Sequence, residues 1–293
     1  MSRRLRYVPV GGALVEVTSR TIQGQFLLRP SPEVNRILLG IVGRAQRRYE
    51  VAIVYMAWLS NHFHFLIKAR DARQVSDFMR DVKSGVAREI NRLLDRTGIF
   101  WSDRYSETLI SDEPAAQIER LRYCLAQGVK EGLVDTVEEW PGIQCATPWI
   151  QGKALGSVLL AKLPCCQDLS DRHYREFIQD LVDEIDRCSA EERQRTGIAS
   201  AGVHHVLSRS PEDRPIHGID RKEAAIGCRS PAPLVHAYSR RVRRAWIDAY
   251  RLFEQAFREA SLRWLAGDTG VCFPRGSFPP RPPFVGGLPA EAG

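Results

Sequence analysis

The sequence lacks any apolar run near the roughly 18 residues that a helix needs to span a membrane. Its first six residues include three arginines and no apolar segment follows them, so no secretory signal is visible. The seven cysteines are an odd number, and no two have CxxC spacing. These absences argue against a disulfide framework or a zinc ribbon. We expect a cytoplasmic protein with no membrane partner.

Lysine is also scarce, with 6 lysines against 36 arginines in a chain of net charge +7 and pI near 9.2. Arginine binds phosphate groups through two parallel hydrogen bonds, which would suit a nucleic-acid partner. A GC-rich genome would produce the same bias through codon usage. Composition alone leaves both explanations open.

Two histidines, His62 and His64, lie two positions apart in an apolar run that extends from Trp58 to Lys68. Side chains in a strand alternate between the two faces, so both imidazoles emerge on one face and the neighbouring phenylalanines on the other. Neutral imidazole is the commonest metal ligand. The pair could form half of a metal site, or it could be two polar residues on a solvated sheet face.

The order of predicted elements indicates the fold. Hydrophobic periodicity and capping signals predict strand, helix, strand, strand, helix, strand and helix. The ranges are 13–20, 30–49, 51–57, 62–67, 73–96, 105–110 and 114–130. This order is that of a ferredoxin-like split βαβ domain of the α+β class. We expect helices on one face of an antiparallel sheet and an open platform for nucleic acid on the other.

The last of these helices presents Tyr123 and Gln127 opposite its apolar stripe. The two residues are four apart and therefore neighbours on the helix surface. Arg120 and Lys130 share this face, which could handle phosphate or could simply be solvated. A divalent ion held by His62, His64 and the Gln127 oxygen would polarise a phosphate that Tyr123 attacks.

Tyr105 is the rival nucleophile, although its place on a strand close to Trp101 suits packing better. Three segments match a known family. They are Ser60-Asn61-His62-Phe63-His64, Tyr123 with Gln127, and Val129-Lys130-Glu131-Gly132-Leu133-Val134. Val17-Thr18-Ser19-Arg20, Trp101 with Tyr105, and Trp140-Pro141 also fit its pattern. In these motifs the region from about residue 7 to 145 resembles the single-tyrosine HUH transposases, in particular those associated with repetitive extragenic palindromes.

The resemblance implies a ferredoxin-like fold, a Mg²⁺ or Mn²⁺ cofactor, and single-stranded DNA beside a hairpin as substrate. It implies cleavage through a covalent 5′-phosphotyrosine and carries Tyr123 over as nucleophile, with His62, His64 and Gln127 as metal ligands. The chain departs from the family pattern at three positions. Ser60 replaces a usual proline, Glu16 a common polar residue or histidine, and Gly128 a frequent proline.

Beyond residue 150 the family motifs stop. We divide the chain into a catalytic domain (1–150), a helix and polar linker (151–233) and a long basic helix with a proline-rich tail (234–293). The linker is read as turns from about residue 189, and His204-His205 as a surface loop. The long helix is predicted over 234–266. Its first turns are rich in arginine: Arg240, Arg241, Arg243 and Arg244.

That arginine cluster could be a solvated edge or could bind the phosphates of a DNA stem, together with Arg20, Arg120 and Lys130. We predict a DNA strand transferase of the transposase type, acting as a monomer or homodimer. One alternative is a non-catalytic DNA- or RNA-binding regulator on the same fold. Another is a zinc hydrolase that uses the histidine pair.

Overall fold

The computed structural model describes residues 4–215 and 234–279. Within them, five strands form one sheet in the order β2-β3-β1-β4-β5. The strands are β1 (Ala13–Arg20), β2 (Ala52–Trp58), β3 (His62–Ala69), β4 (Ser106–Ile110) and β5 (Leu234–His236). The helices are α1 (Pro32–Tyr49), α2 (Ala72–Leu93), α3 (Pro114–Leu125), α4 (Gln127–Lys130), α5 (Ala146–Gln151), α6 (Asp171–Thr196), α7 (Val203–Ser208) and α8 (Arg240–Leu265).

The first four strands have the predicted ferredoxin-like arrangement, in which β1 and β3 lie at the centre and pair antiparallel. β2 pairs with β3 and β4 with β1, both antiparallel. Directly opposite residues in such pairs point to the same face. Thr18 faces His64 and Arg20 faces His62, so the rigid middle of the sheet carries both histidines.

Local sequence signals account for the two helices behind the sheet. The Ser31 and Asp71 side chains accept hydrogen bonds from the first turns of α1 and α2, as N-cap residues do. The helices approach closely at Gly85, where an added Cβ would lie 3.1 Å from the Ile41 side chain. The Phe65 ring meets Phe78 of α2 with centroids 5.9 Å apart, so this face of the sheet holds the main apolar core.

The opposite face is not the open platform that the sequence predicted. α3 crosses it and packs against β2, β3 and β4. Its Cys124 contacts Glu16 of β1, and its Tyr123 ring lies beside His64. Helices therefore cover parts of both faces, because α3 has its own apolar stripe to bury. On the histidine face, Tyr123 and Ser106 are exposed and Arg20 is half-buried.

The second half of the chain packs on this domain. α6 is longer than predicted and reaches Thr196, and it contacts α3, α4 and α5. The predicted linker contains α7, on which His204 and His205 are exposed as expected, although on a helix. Residues 216–233 of that linker and 280–293 of the proline-rich tail lie outside the described residues.

The start of the predicted long helix is instead a strand. Leu234–His236 pairs parallel with β4, which makes the sheet mixed and covers the β4 edge. The Glu113 carboxylate, at the N-cap of α3, accepts the backbone N–H groups of Tyr238 and Ser239. These bonds fix the start of α8 at the start of α3. None of the described helices is long and apolar enough to cross a membrane.

Candidate active site

Two histidines and one tyrosine meet on the α3 side of the sheet. The imidazole centroids of His62 and His64 are 5.2 Å apart, and the Tyr123 ring centroid is 6.0 Å from that of His64. His64 is buried and His62 is half-buried, whereas Tyr123 is 36% exposed. The structure thus brings together groups that are about sixty positions apart in sequence. Their arrangement leaves the tyrosine accessible to a substrate from solvent.

Hydrogen bonds define which nitrogen of each imidazole carries the proton. Nδ1 of His64 lies 2.9 Å from Oε1 of Glu16, and Nδ1 of His62 lies 2.7 Å from Oδ1 of Asn61. The Asn61 amide nitrogen donates to the Gly24 carbonyl, so its oxygen must accept from His62. Both rings therefore hold their proton on Nδ1 when neutral. Their Nε2 lone pairs are the ones left for a metal ion or a substrate proton.

Electrostatics keep His62 neutral. Burial, followed by the charges of His64 and Arg20, holds the pKa of His62 well below its ordinary value of 6.5. Arg20 is the strand neighbour of His62 on β1. A neutral imidazole at physiological pH can accept a metal ion without first losing a proton.

Glu16 is the buried carboxylate at the centre of the site. Its Oε1 accepts from His64 and from the Cys124 thiol, at 3.7 Å, and its Oε2 pairs with Arg120 at 3.1 Å. Burial opposes its ionisation, but the His64 hydrogen bond and the Arg120 charge outweigh it, and the pKa of Glu16 is lowered. The carboxylate is therefore ionised and fully engaged with protein groups.

Glu16, His64 and Cys124 also place one possible ligand atom each within 4.8 Å of one another, a spacing compatible with a metal ion. Two features favour a hydrogen-bonded cluster instead. The Arg120 guanidinium already neutralises the carboxylate, and a cation there would be repelled by it. Burial and the Glu16 charge raise the pKa of Cys124 well above 9, so the thiolate that zinc requires is disfavoured.

Tyr123 lies between two cations. Cζ of Arg120 is 4.9 Å and Nζ of Lys130 is 4.2 Å from the centre of its ring. Lys130 is exposed, as predicted for a phosphate-binding residue. Arg120 differs from that prediction, because its guanidinium is mostly buried and paired with Glu16. The Arg120 charge therefore interacts with Glu16 inside the site more than with solvent.

Gln127 does not share the exposed face of Tyr123. α3 ends at Leu125, and the backbone of Ala126 (ψ −2°) departs from regular helix geometry before α4 begins. The side chains of α4 are therefore rotated about the helix axis relative to those of α3. Gln127 is buried, donates from Nε2 to the Tyr123 carbonyl at 2.8 Å, and lines a small cavity beside Ala57. Ala57 is the strand neighbour of His64 on the same face. Among the described residues no hydrogen bond engages the Gln127 side-chain oxygen, the atom predicted to be a ligand.

The rival tyrosine lies on the other side of the sheet. Tyr105 precedes Ser106, the partner of Thr18 on the histidine face, and so points away from that face. The Arg6 guanidinium stacks on its ring at 3.7 Å, and burial raises its pKa. Tyr105 therefore packs as part of the structure, on the side of Lys83 and α2, and cannot meet the histidines.

The arginine cluster of α8 is exposed but lies away from Tyr123. It begins beside the N-terminal end of α3, and Tyr123 lies nine residues further along that helix. At 1.5 Å of rise per residue this is about 13 Å. The position fits a contact with DNA flanking the reacting phosphate better than a contact with that phosphate.

Glu16 and Asn61 contact the two histidines, but the sequence identified them only as positions of the family pattern. Glu16 stands in the strand Ala13–Val17, where every other side chain is apolar and buried. A buried charged residue requires hydrogen-bonding or charged partners. A lone glutamate in an apolar strand could therefore have indicated that Glu16 contacts other polar groups. Nothing in the segment Ser60-Asn61-His62 indicates that the Asn61 side chain bonds to His62 and to the Gly24 carbonyl.

Comparison with known families matches residues 30–123 to the profile described as "Transposase IS200 like". This stretch contains both histidines and ends at Tyr123. Residues 30–123 are therefore similar to IS200-like transposases. A comparison with curated proteins gives no match.

Two solved structures are similar to the chain. The REP-associated tyrosine transposase bound to a REP hairpin is 19% identical, with a TM-score of 0.42 over 53% of this chain and 90% of the other. A candidate transposase from Deinococcus radiodurans R1 is also 19% identical, with a TM-score of 0.28 over 41% and 95%. Glu16 and Gln127 both lie outside the stretch that matches the transposase family.

Proposed function

We propose that the chain cleaves and rejoins single-stranded DNA in a metal-dependent reaction in which Tyr123 becomes covalently linked to a 5′-phosphate. The main support is the ring of Tyr123 at 6.0 Å from His64, exposed to solvent, beside two imidazoles whose Nε2 atoms are available. Transposase-type chemistry is the function class of the matched family.

The residues present fit a divalent ion. His62 and His64 would hold it through their Nε2 atoms, and the Gln127 side-chain oxygen is the third ligand we propose. Nitrogen and oxygen ligands of this kind suit Mn²⁺ or Mg²⁺ completed by water. When bound, such an ion polarises a phosphate oxygen and offsets the charge that develops during phosphoryl transfer.

In the proposed reaction the Tyr123 hydroxyl loses its proton to solvent and its oxygen bonds to phosphorus. The P–O3′ bond breaks, and the leaving 3′ oxygen takes up a proton to become a free hydroxyl. The phosphotyrosine retains the energy of the broken bond, so a 3′ hydroxyl can attack it in the reverse step and rejoin DNA without ATP. Lys130 binds the phosphate backbone beside the ring.

The substrate we propose is single-stranded DNA next to a hairpin. Arg20, half-buried on the strand beside His62, would contact the strand near the scissile phosphate. Arg240, Arg241, Arg243 and Arg244 would bind the phosphates of the stem. Contacts of this kind are independent of base sequence and weaken with salt. The protomer would act as a monomer or homodimer.

The test is formation of an SDS-stable protein–DNA adduct with hairpin-bearing single-stranded DNA from the flanks of the gene and Mn²⁺. We expect an adduct with the wild-type chain and with Tyr105→Phe, and none with Tyr123→Phe or after chelation. An adduct that survives in Tyr123→Phe but not in Tyr105→Phe would transfer the role to Tyr105. DNA binding without any adduct would favour the non-catalytic regulator.

A further inference from the structure

The Glu16 carboxylate joins the two halves of the site. It is 4% exposed on the central strand β1, and each of its oxygens has a partner from another element. One oxygen accepts from Nδ1 of His64 on β3. The other pairs with Arg120 of α3, three residues before Tyr123. No other described carboxylate contacts both β3 and the tyrosine helix.

We propose that Glu16 is a positioning residue that sets both the orientation of the His64 ring and the place of Tyr123 above it. The inference rests on the proposed function of this site. It assigns Glu16 no direct contact with substrate. Its carboxylate acts only through His64, Arg120 and Cys124.

The first part of this role concerns His64. The 2.9 Å hydrogen bond from Nδ1 holds the proton on that nitrogen and fixes the rotation of the ring. Nε2 is then unprotonated and directed away from β1. Carboxylates in this position behind a ligating histidine usually raise metal affinity about 10- to 100-fold. His62 is oriented by the neutral amide of Asn61, whereas His64 is oriented by the carboxylate of Glu16.

The second part concerns α3. Arg120 and Cys124 bracket Tyr123 in sequence, and both contact the same carboxylate. Arg120 also stacks on the Tyr123 ring, with 4.9 Å between Cζ and the ring centre. A buried ion pair is costly to break from one side, so α3 cannot slide along the sheet without losing these contacts. The Tyr123 ring is thereby held at its place beside His64.

The experiment compares Glu16→Gln with Glu107→Gln as a matched control. Glu107 is also a buried carboxylate of the same sheet, 8% exposed and paired with Arg6 at 2.7 Å, but it lies on the opposite face. Three quantities are measured on the full chain. They are the His64 tautomer by imidazole ¹⁵N NMR of metal-free protein, Mn²⁺ affinity by calorimetry, and the rate of adduct formation.

We expect Glu16→Gln to lose the preference of His64 for a proton on Nδ1, because the amide oxygen pairs with Arg120 and the amide NH2 group, which is a donor, then faces His64. The variant should also bind Mn²⁺ about 10- to 100-fold more weakly and form adduct more slowly. Glu107→Gln should match the wild type in all three. An unchanged tautomer and affinity in Glu16→Gln, or equal losses in Glu107→Gln, would overturn the inference. A wild-type chain that binds no Mn²⁺ and forms no adduct would instead refute the proposed function, and the inference with it.

Arg120→Gln tests the placement of Tyr123 separately from the orientation of His64. It can also be used if Glu16→Gln does not fold. This change removes the ion pair to α3 and leaves the bond between Glu16 and His64. We expect the wild-type tautomer of His64 with slower adduct formation. Adduct formation at the wild-type rate would overturn the role of Glu16 in placing Tyr123.

Discussion

The side-chain oxygen of Asn61 lies 2.7 Å from Nδ1 of the adjacent His62, and the Asn61 amide nitrogen is bound to the Gly24 carbonyl. The amide therefore has one orientation, and it determines the tautomer of the more exposed histidine. A residue in the turn between β2 and β3 thus determines which nitrogen of a β3 histidine has a free lone pair.

Asn61→Ala should lower Mn²⁺ affinity about 10-fold, because the His62 proton is no longer held on Nδ1. It should also destabilise the fold by about 1 to 3 kcal/mol, since the Gly24 carbonyl loses its buried partner. Asn61→Asp keeps an oxygen for His62 and should retain the tautomer. Calorimetry with Mn²⁺ and imidazole NMR measure both effects. Wild-type affinity in Asn61→Ala would contradict the assignment.

Gln127→Ala should weaken Mn²⁺ binding and slow adduct formation at least 10-fold, because the proposed oxygen ligand and the bond to the Tyr123 carbonyl are both removed. Gln144→Ala is the matched control, since Gln144 lines the same cavity but bonds to Thr147 and Ala146. If the two variants bind Mn²⁺ equally well, Gln127 is a structural residue only.

The stability of the metal-free protein should fall below pH 6.5, partly because of His62. Burial is the main reason that the folded pKa of His62 lies well below 6.5, so in this range the unfolded chain binds the proton more readily than the folded one. As the pH falls below 6.5, the free energy of unfolding decreases by at most about 1.4 kcal/mol per pH unit until the folded pKa of His62 is reached. Above pH 6.5 His62 causes no such loss.

Urea unfolding in EDTA between pH 7.5 and pH 5 measures this effect. The loss of stability should be smaller in His62→Gln than in the wild type. His204→Gln, which changes an exposed histidine of α7, should behave like the wild type. Equal pH dependence in all three proteins would show that His62 is not the titrating group.

Much of the fold followed from short-range signals in the sequence. The proline at the start of α1 and the apolar stripes of α1 and α2 are local signals, and the structure has both helices close to where they were predicted. The alternation from His62 to Ile67 likewise placed both histidines on one face. These features are local, so a single sequence contains enough information to predict them.

The features that could not be predicted depend on contacts between residues far apart in sequence or on small breaks in a helix that rotate the side chains after them. Glu16 meets partners 48 and 104 positions away, which no periodicity reveals. β5 has three residues, too few to show alternation, and pairs with a strand more than 120 positions earlier. The break at Ala126 rotates Gln127 into the interior, whereas an unbroken helix would keep it beside Tyr123.

The arginine cluster gives a prediction that separates DNA binding from chemistry. Changing Arg240, Arg241 and Arg244 to glutamine should weaken binding of hairpin DNA and reduce the slope of log K against log salt by about 2 to 3. Arg243 is kept because its guanidinium bonds to the Val235 carbonyl and supports β5. Arg172→Gln, Arg187→Gln and Arg195→Gln combined, at exposed positions of α6, are the control for the loss of three charges.

Binding measured between 50 and 300 mM salt tests this prediction, and adduct formation at saturating DNA tests its separation from catalysis. The N-terminal end of α8 is anchored at Glu113, about 13 Å along α3 from Tyr123, so the adduct yield at saturation should stay at the wild-type level. A salt slope unchanged from the wild type would mean that the cluster is a solvated edge. A lower yield at saturation would instead place these arginines at the reacting phosphate, which the start of α8 beside Glu113 argues against.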